Sequence, residues 1–283
     1  MIDDGTLYKK LRYSRNISQK ELCKYKLSRT TLSKFENKKI NLSFSNFDYL
    51  LNSIDISLDE FKYIQNDYSY DDKGYIINYF DKIFSVQYDE VSINKMILFI
   101  ENYLTEQYSK SIFFILKILK SFQYINQSEN NKIDCKAHMH VADIWDELSK
   151  MDHWSLLDIK IINSSLYFFE YSTCIEISHQ LIKMLQKYKN FKNISILETS
   201  IWANLTLLAL INNDIKSAQN FSDHAWTSSL QSKRIDYISI SSIRKGIAYN
   251  KIEDIDNGFH LLSIIENNEL SNSLKKEVHD FRS

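Results

Sequence analysis

Proline is absent from all 283 residues, and glycine occurs only four times. Without proline no stretch is preset to polyproline II, and no helix is interrupted by a missing backbone N–H. So little glycine leaves no Gly-rich phosphate loop, and neither a nucleophile elbow nor a metal-protease signature occurs. An enzyme is therefore not expected, nor is a cofactor. The three cysteines, Cys23, Cys135 and Cys174, are odd in number and far apart. That spacing matches neither a disulfide framework nor a zinc site and suggests reduced thiols in a cytoplasm. His138-x-His140 would point to different sides of a helix, which argues against a metal pair. No run approaches the roughly 18 apolar residues of a membrane span, and the most apolar stretch, 112–119, is too short. The start, Met1-Ile2-Asp3-Asp4, is acidic where a secretory signal is basic and then apolar, so neither export nor a membrane is expected.

What the chain has in quantity is helix-compatible. It is 44% hydrophobic and 13% aromatic, rich in Leu, Ile, Lys, Asn, Ser and Tyr. With so few helix breakers an all-α protein is expected. The length exceeds one typical domain and suits a small module joined to a larger one. Charge is divided in the same way. The net value is −1, yet residues 1–41 hold 11 Lys/Arg against 4 Asp/Glu, leaving the remainder acidic. A basic head on an acidic body suits a nucleic-acid-binding module attached to something else.

The head is expected over 1–66 as five short helices. Leu7 and Leu11 share a face of the first, with Lys9, Lys10, Arg12 and Arg15 around it. Ser18-Gln19-Lys20-Glu21 is a capping box that opens the second. Ser28 caps the third, on which Leu32, Phe35 and Glu36 fall on one side and Arg29, Thr30, Ser33 and Lys34 on the other. That polar face suits phosphates and base edges in a major groove. After the loop 37–41, Ser43 caps a fourth helix and the capping box Ser57-Leu58-Asp59-Glu60 a fifth. Alone, these features also fit a solvated basic face on a protein-binding domain.

Residues 67–74 are polar and poor in aliphatics and are expected to connect the head to a body over 75–283. The body reads as successive amphipathic helices near 75–84, 92–106, 111–125, 134–150, 155–169, 173–187, 195–211, 215–229, 235–250, 255–267 and 271–281. Trp202, Leu205, Ala209, Ala218 and Ala225 fit a tetratricopeptide-like template. Gly246, Tyr249, Gly258 and Leu262 fit it again about 40 residues later, and Cys174 marks a weaker earlier copy. Such repeats stack as helical hairpins around a concave groove. Asn163, Asn204 and Arg244 fall at equivalent positions on successive first helices, and with Tyr167 they are the candidate peptide contacts. Asparagine amides serve an extended peptide backbone, and a guanidinium pairs with a terminal or side-chain carboxylate. Ordinary solvated polar residues are the alternative. The aromatics 167–169 and 171, and the pair Trp145 and Trp154, read as packing between helices.

The order Ser-Gln-x-Glu-Leu, then Ser-Arg-x-x-Leu-Ser-x-Phe-Glu-Asn, resembles the phage-repressor-like XRE class of helix-turn-helix modules over about 60 residues. The resemblance implies that Gln19 and Arg12 contact phosphate, that Arg29, Thr30 and Lys34 read bases, and that Ser33 and Lys38 belong to the DNA-facing set. Two positions depart from the class: Lys26 sits in a turn without glycine, and Lys38 stands where a glycine is usual. With 56–61 and 144–154 added, the whole chain looks like the Rgg group of peptide-responsive regulators, related to the wider RNPP set. That implies a homodimeric transcription factor acting on double-stranded DNA at an inverted-repeat operator, with a repeat domain that dimerises and binds a short hydrophobic peptide. A protein-interaction scaffold, or a repressor whose body only dimerises, remain the competing readings.

Overall fold

A computed structural model describes residues 2–23, 26–83, 90–127, 135–191 and 194–282, excluding the side chains of 83, 126–127 and 135–140. The side chains of Cys135, His138 and His140 thus lie outside the described residues. The chain forms two compact units, Met1–Ile77 and Asn78–Ser283, and no strand occurs among the described residues.

In the first unit α1 (Asp4–Ser14), α2 (Gln19–Leu22), α3 (Arg29–Glu36), α4 (Phe44–Asn52) and α5 (Leu58–Gln65) are the five expected helices. Their caps differ in detail. The Ser18 hydroxyl accepts from the Glu21 N–H while Glu21 reaches back to the Ser18 N–H, a complete box. Ser57 accepts from Glu60 N–H, the hydroxyl half of the box expected there, and Ser43 makes no side-chain cap bond. Leu7, Tyr8, Leu22, Leu32, Phe35, Leu50, Leu51, Ile54 and Phe61 form the core. Phe47 is packed edge-on against Phe35 and Phe61, with ring centroids 5.8 and 5.1 Å away. Lys26, in the glycine-free turn, donates to Ser45 Oγ and O at 2.7 and 3.0 Å, tying that turn to the start of α4.

Helix α6 (Asp72–Ile83) begins inside the expected connection 67–74, and the division between units falls within it. The second unit continues through α7 (Glu90–Glu106), α8 (Lys110–Gln127), α9 (Cys135–Leu148), α10 (Leu156–Ser165), α11 (Tyr171–Gln186), α12 (Ile194–Ile211), α13 (Ile215–Ser232), α14 (Ile235–Ala248), α15 (Ile252–Ile264) and α16 (Asn268–Arg282). The single helix expected at 155–169 is instead α10 followed by a 3-10 turn, Leu166–Phe168. Trp145 and Trp154 meet edge-on at 6.2 Å, and Phe168 packs on Phe122 at 5.0 Å, as packing aromatics should. One expectation is corrected: where no run was expected to approach the length of a membrane span, α12, 18 residues, is long and apolar enough to cross a membrane by length and composition alone. It packs against α10, α11, α13 and α14, so its apolarity is accounted for by a central place in the stack.

The scarcity of glycine is resolved in an unusual division of labour. Left-handed turn positions fall on Asn16, Lys38, Asp55, Asp67, Tyr68, Asn213, Lys233, Asn250 and Glu266, and on no glycine among the described residues. Glycines serve close approach instead. A Cβ on Gly5 would lie 2.0 Å from the Phe35 carbonyl oxygen, and one on Gly258 2.9 Å from that of Ser239. Ala218, at the template position of Gly258, is fully buried.

Candidate nucleic-acid interface and peptide groove

In the head, Ser28 Oγ accepts from Thr31 N–H at 3.1 Å and starts α3 where the cap predicts. Leu32, Phe35 and Glu36 are buried, which turns Arg29, Thr30 and Lys34 outward; Ser33 is half-buried. Lys38 is exposed, and its ammonium lies 2.7 Å from the Asp3 carboxylate. That hydrogen bond holds the Asp3 carboxyl well below the usual carboxylate range. Lys38 also has φ of 60°, the left-handed conformation in which a glycine would be unstrained.

Arg12 is not where the resemblance implied. It is 2% exposed, and its Nε and Nη2 donate to the two carboxylate oxygens of Glu36 at 2.6 and 2.8 Å, while Nη1 donates to the Ile17 carbonyl at 2.6 Å. A guanidinium used in this way cannot grip a phosphate. It neutralises the buried carboxylate of α3 and ties α1 to it. Gln19 Nε2 donates to the same carboxylate at 2.8 Å, keeping its second amide hydrogen. Sequence carried a signal for this pairing, because Glu36 fell on the apolar side of α3 and a buried carboxylate requires a partner.

In the body, all four candidate peptide contacts line one groove of about 780 Å³. Contacts of α12 with both α10 and α14 set the first helices of successive hairpins side by side, so positions about 40 residues apart become neighbours. Asn204 Nδ2 donates to Asn163 Oδ1 at 3.2 Å, Asn163 Nδ2 to Ser200 Oγ at 3.2 Å, and the Tyr167 hydroxyl to Asn204 Oδ1 at 2.9 Å. Burial pushes the Tyr167 hydroxyl up to about 12. The apolar lining includes Phe80, Phe122, Ile196, Leu197, Ile240 and Leu270.

Arg244 closes the row, and its surroundings hold the residue that sequence reasoning missed. Its Nε and Nη2 donate to Glu277 of α16 at 2.9 and 2.7 Å, and Nη1 donates to the Ala203 carbonyl at 2.8 Å. Burial opposes the charge, but attraction to Glu277 outweighs it and raises the guanidinium further. The other lining cation, Lys160, is held by both oxygens of Asp81 at 2.7 Å. Glu277 carried no signal in the sequence, because α16 lies beyond the repeated template.

The helix-turn-helix family model matches residues 9–61. By sequence, no curated protein matches the chain. Solved structures match almost end to end. A candidate transcriptional regulator from Listeria monocytogenes EGD-e is 21% identical with a TM-score of 0.78, over 98% of this chain and 96% of that one. The SHP pheromone receptor Rgg2 of Streptococcus dysgalactiae is 15% identical with a TM-score of 0.71, over 98% and 99%. PlcR of Bacillus thuringiensis, solved in complex with the peptide PapR7 and DNA, is 14% identical with a TM-score of 0.63, over 95% and 98%. The chain therefore has a helix-turn-helix domain followed by a helical domain, in the fold shared with these proteins.

Proposed function

We propose that this protein is a homodimeric, peptide-responsive transcription regulator of the Rgg type. Its head places α3 in the major groove of an inverted-repeat operator, with Arg29, Thr30, Ser33 and Lys34 facing the bases. Gln19, through its free amide hydrogen, and Lys38 contact phosphates. Two heads on one face of the duplex sit about 34 Å apart. The body binds a short apolar peptide in the groove of Asn163, Tyr167, Asn204 and Arg244, and its volume lies within the ~300–1,000 Å³ usual for ligand sites. The peptide acts by binding one arrangement of the dimer better than another, since only that difference shifts an equilibrium.

The observation that carries this reading is the polar row from Ser200 through Asn163 and Asn204 to Tyr167, set into a groove of mixed polar and apolar lining in a chain that begins with a helix-turn-helix head. An extended peptide needs both donors and acceptors from such a row. The test of the head is duplex affinity against salt for the full chain and for Arg29→Ala and Lys34→Ala. Counterion release predicts that log K falls steeply with log salt, and each variant should reduce the slope by about 1 if it loses a phosphate or weaken one sequence class if it loses a base. A flat slope in the parent protein, or unchanged affinity in both variants, overturns the DNA-binding assignment.

A further inference from the structure

The guanidinium of Arg244 sits in the groove wall with three of its five N–H groups engaged by its own chain. Glu277 takes two of its N–H groups in a bidentate pair, and the Ala203 carbonyl a third. Bidentate pairing is the geometry in which a guanidinium receives any carboxylate, including that of a peptide. Lys160 is occupied by Asp81 near the surface, which leaves Arg244 as the deeply buried cation of the groove lining.

Glu277 belongs to a helix that is lightly anchored. Of the residues in α16 only Leu274 is buried, with Leu270, Val278 and Phe281 partly so, and the helix packs on α14 and α15 alone among its principal neighbours. The same helix lends Glu269, Leu270, Ser273, Leu274 and Glu277 to the groove. It is thus both a wall of the groove and the donor of the carboxylate that fills its guanidinium.

We propose that Arg244 is a ligand-carboxylate subsite and that Glu277 is its built-in competitor, exchanged for a carboxylate of the bound peptide. This rests on the peptide-receptor reading above. The exchange replaces one bidentate pair by another, so Arg244 stays buried and compensated throughout. The ligand carboxylate loses water while the Glu277 carboxylate, already 19% exposed, regains it. A ligand without a carboxylate leaves Glu277 in place. A ligand with one releases α16 from its ionic tie to α14.

The full chain is incubated with three pools of random octapeptides built from Leu, Ile, Val, Phe and Ala: free acids, C-terminal amides, and amides with one internal glutamate. Retained peptide is quantified by mass spectrometry. The parent protein is expected to retain a carboxylate-bearing pool at least ~10-fold over the plain amides, a difference of about 1.4 kcal/mol. The free-acid or the glutamate pool identifies whether the carboxylate is terminal or in a side chain. Glu277→Gln keeps an acceptor for Arg244 but removes the competing charge, and should raise retention of that pool several-fold relative to the plain amides. Arg244→Gln should erase the preference; should it melt early, the Glu277→Gln comparison decides alone. Equal retention of acids and amides by the parent protein, or an unchanged preference in Glu277→Gln, overturns the subsite while leaving the receptor reading intact. If no pool is retained by any form, the receptor reading falls and the subsite with it.

Discussion

Replacing Arg12 by methionine separates a strut from a DNA contact. In the fold Arg12 donates three charge-assisted hydrogen bonds of 2.6–2.8 Å, two to Glu36 and one to the Ile17 carbonyl, and the paired side chains are 3% and 0% exposed. Removing the cation leaves the Glu36 carboxylate buried with only the Gln19 amide beside it. Breaking one side of a buried pair costs about 3–5 kcal/mol. A unit of 77 residues is stable by roughly 4–12 kcal/mol, so much of that reserve would be lost. Arg12→Met should therefore lower the unfolding transition of the head by at least ~12 °C, read by amide hydrogen exchange across α1 to α3 in the full chain. Glu36→Leu should be similarly damaging. The double variant Arg12→Met/Glu36→Leu should recover most of the loss, because a buried ion pair and a well-packed apolar pair differ little. If Arg12→Met costs less than about 1 kcal/mol and instead reduces the salt slope of DNA binding by about 1, the strut assignment is wrong and the guanidinium reaches phosphate.

Three further substitutions test the packing. Gly5→Ala sets a methyl 2.0 Å from the Phe35 carbonyl, so α1 and α3 must separate; a loss of roughly 1–3 kcal/mol in head stability is expected by denaturant titration, and a neutral result would refute the close approach. Gly258→Ala does the same between α15 and α14, where the added carbon would lie 2.5 Å from Ile243 Cγ1, and should loosen hydrogen-exchange protection in those two helices while sparing α1 to α5. Lys233→Gly, at the left-handed C-cap of α13 with φ of 54°, should raise the melting transition of the body by up to ~1 kcal/mol equivalent, and a lower transition would show that the lysine side chain contributes more than its backbone strain removes.

Helix positions were legible because the chain has no proline and little glycine to blur an amphipathic period, and because serines announce several starts. Ser18 and Ser28 do what their spacing implies. Ser155 forms a complete box with Asp158 that was not anticipated, since aspartate at that position is a less familiar sign than glutamate. The Arg12 misplacement has a different origin. In a strongly basic segment every cation reads as surface, although Arg12 follows the fully buried Tyr8 by four residues and so shares its face of α1.

The groove divides along the same physical line. Asn163, Asn204 and Arg244 share one groove because a repeat of about 40 residues converts a period in sequence into a row in space, once α10, α12 and α14 lie side by side. Glu277 stands outside that period, on α16, and meets Arg244 at a sequence separation of 33 through a contact no periodicity encodes. A repeat array fixes the shape of a groove through contacts made over and over, so its lining is set by what every hairpin must do. In the proposed exchange, ligand charge would be selected through Arg244 and its present partner Glu277, a residue from the helix the repeats do not constrain. On that proposal α16 would set the preferred ligand charge from outside the stack: Glu277→Gln alters the occupant of Arg244, while Asn163, Asn204 and Tyr167 keep their own donors and acceptors.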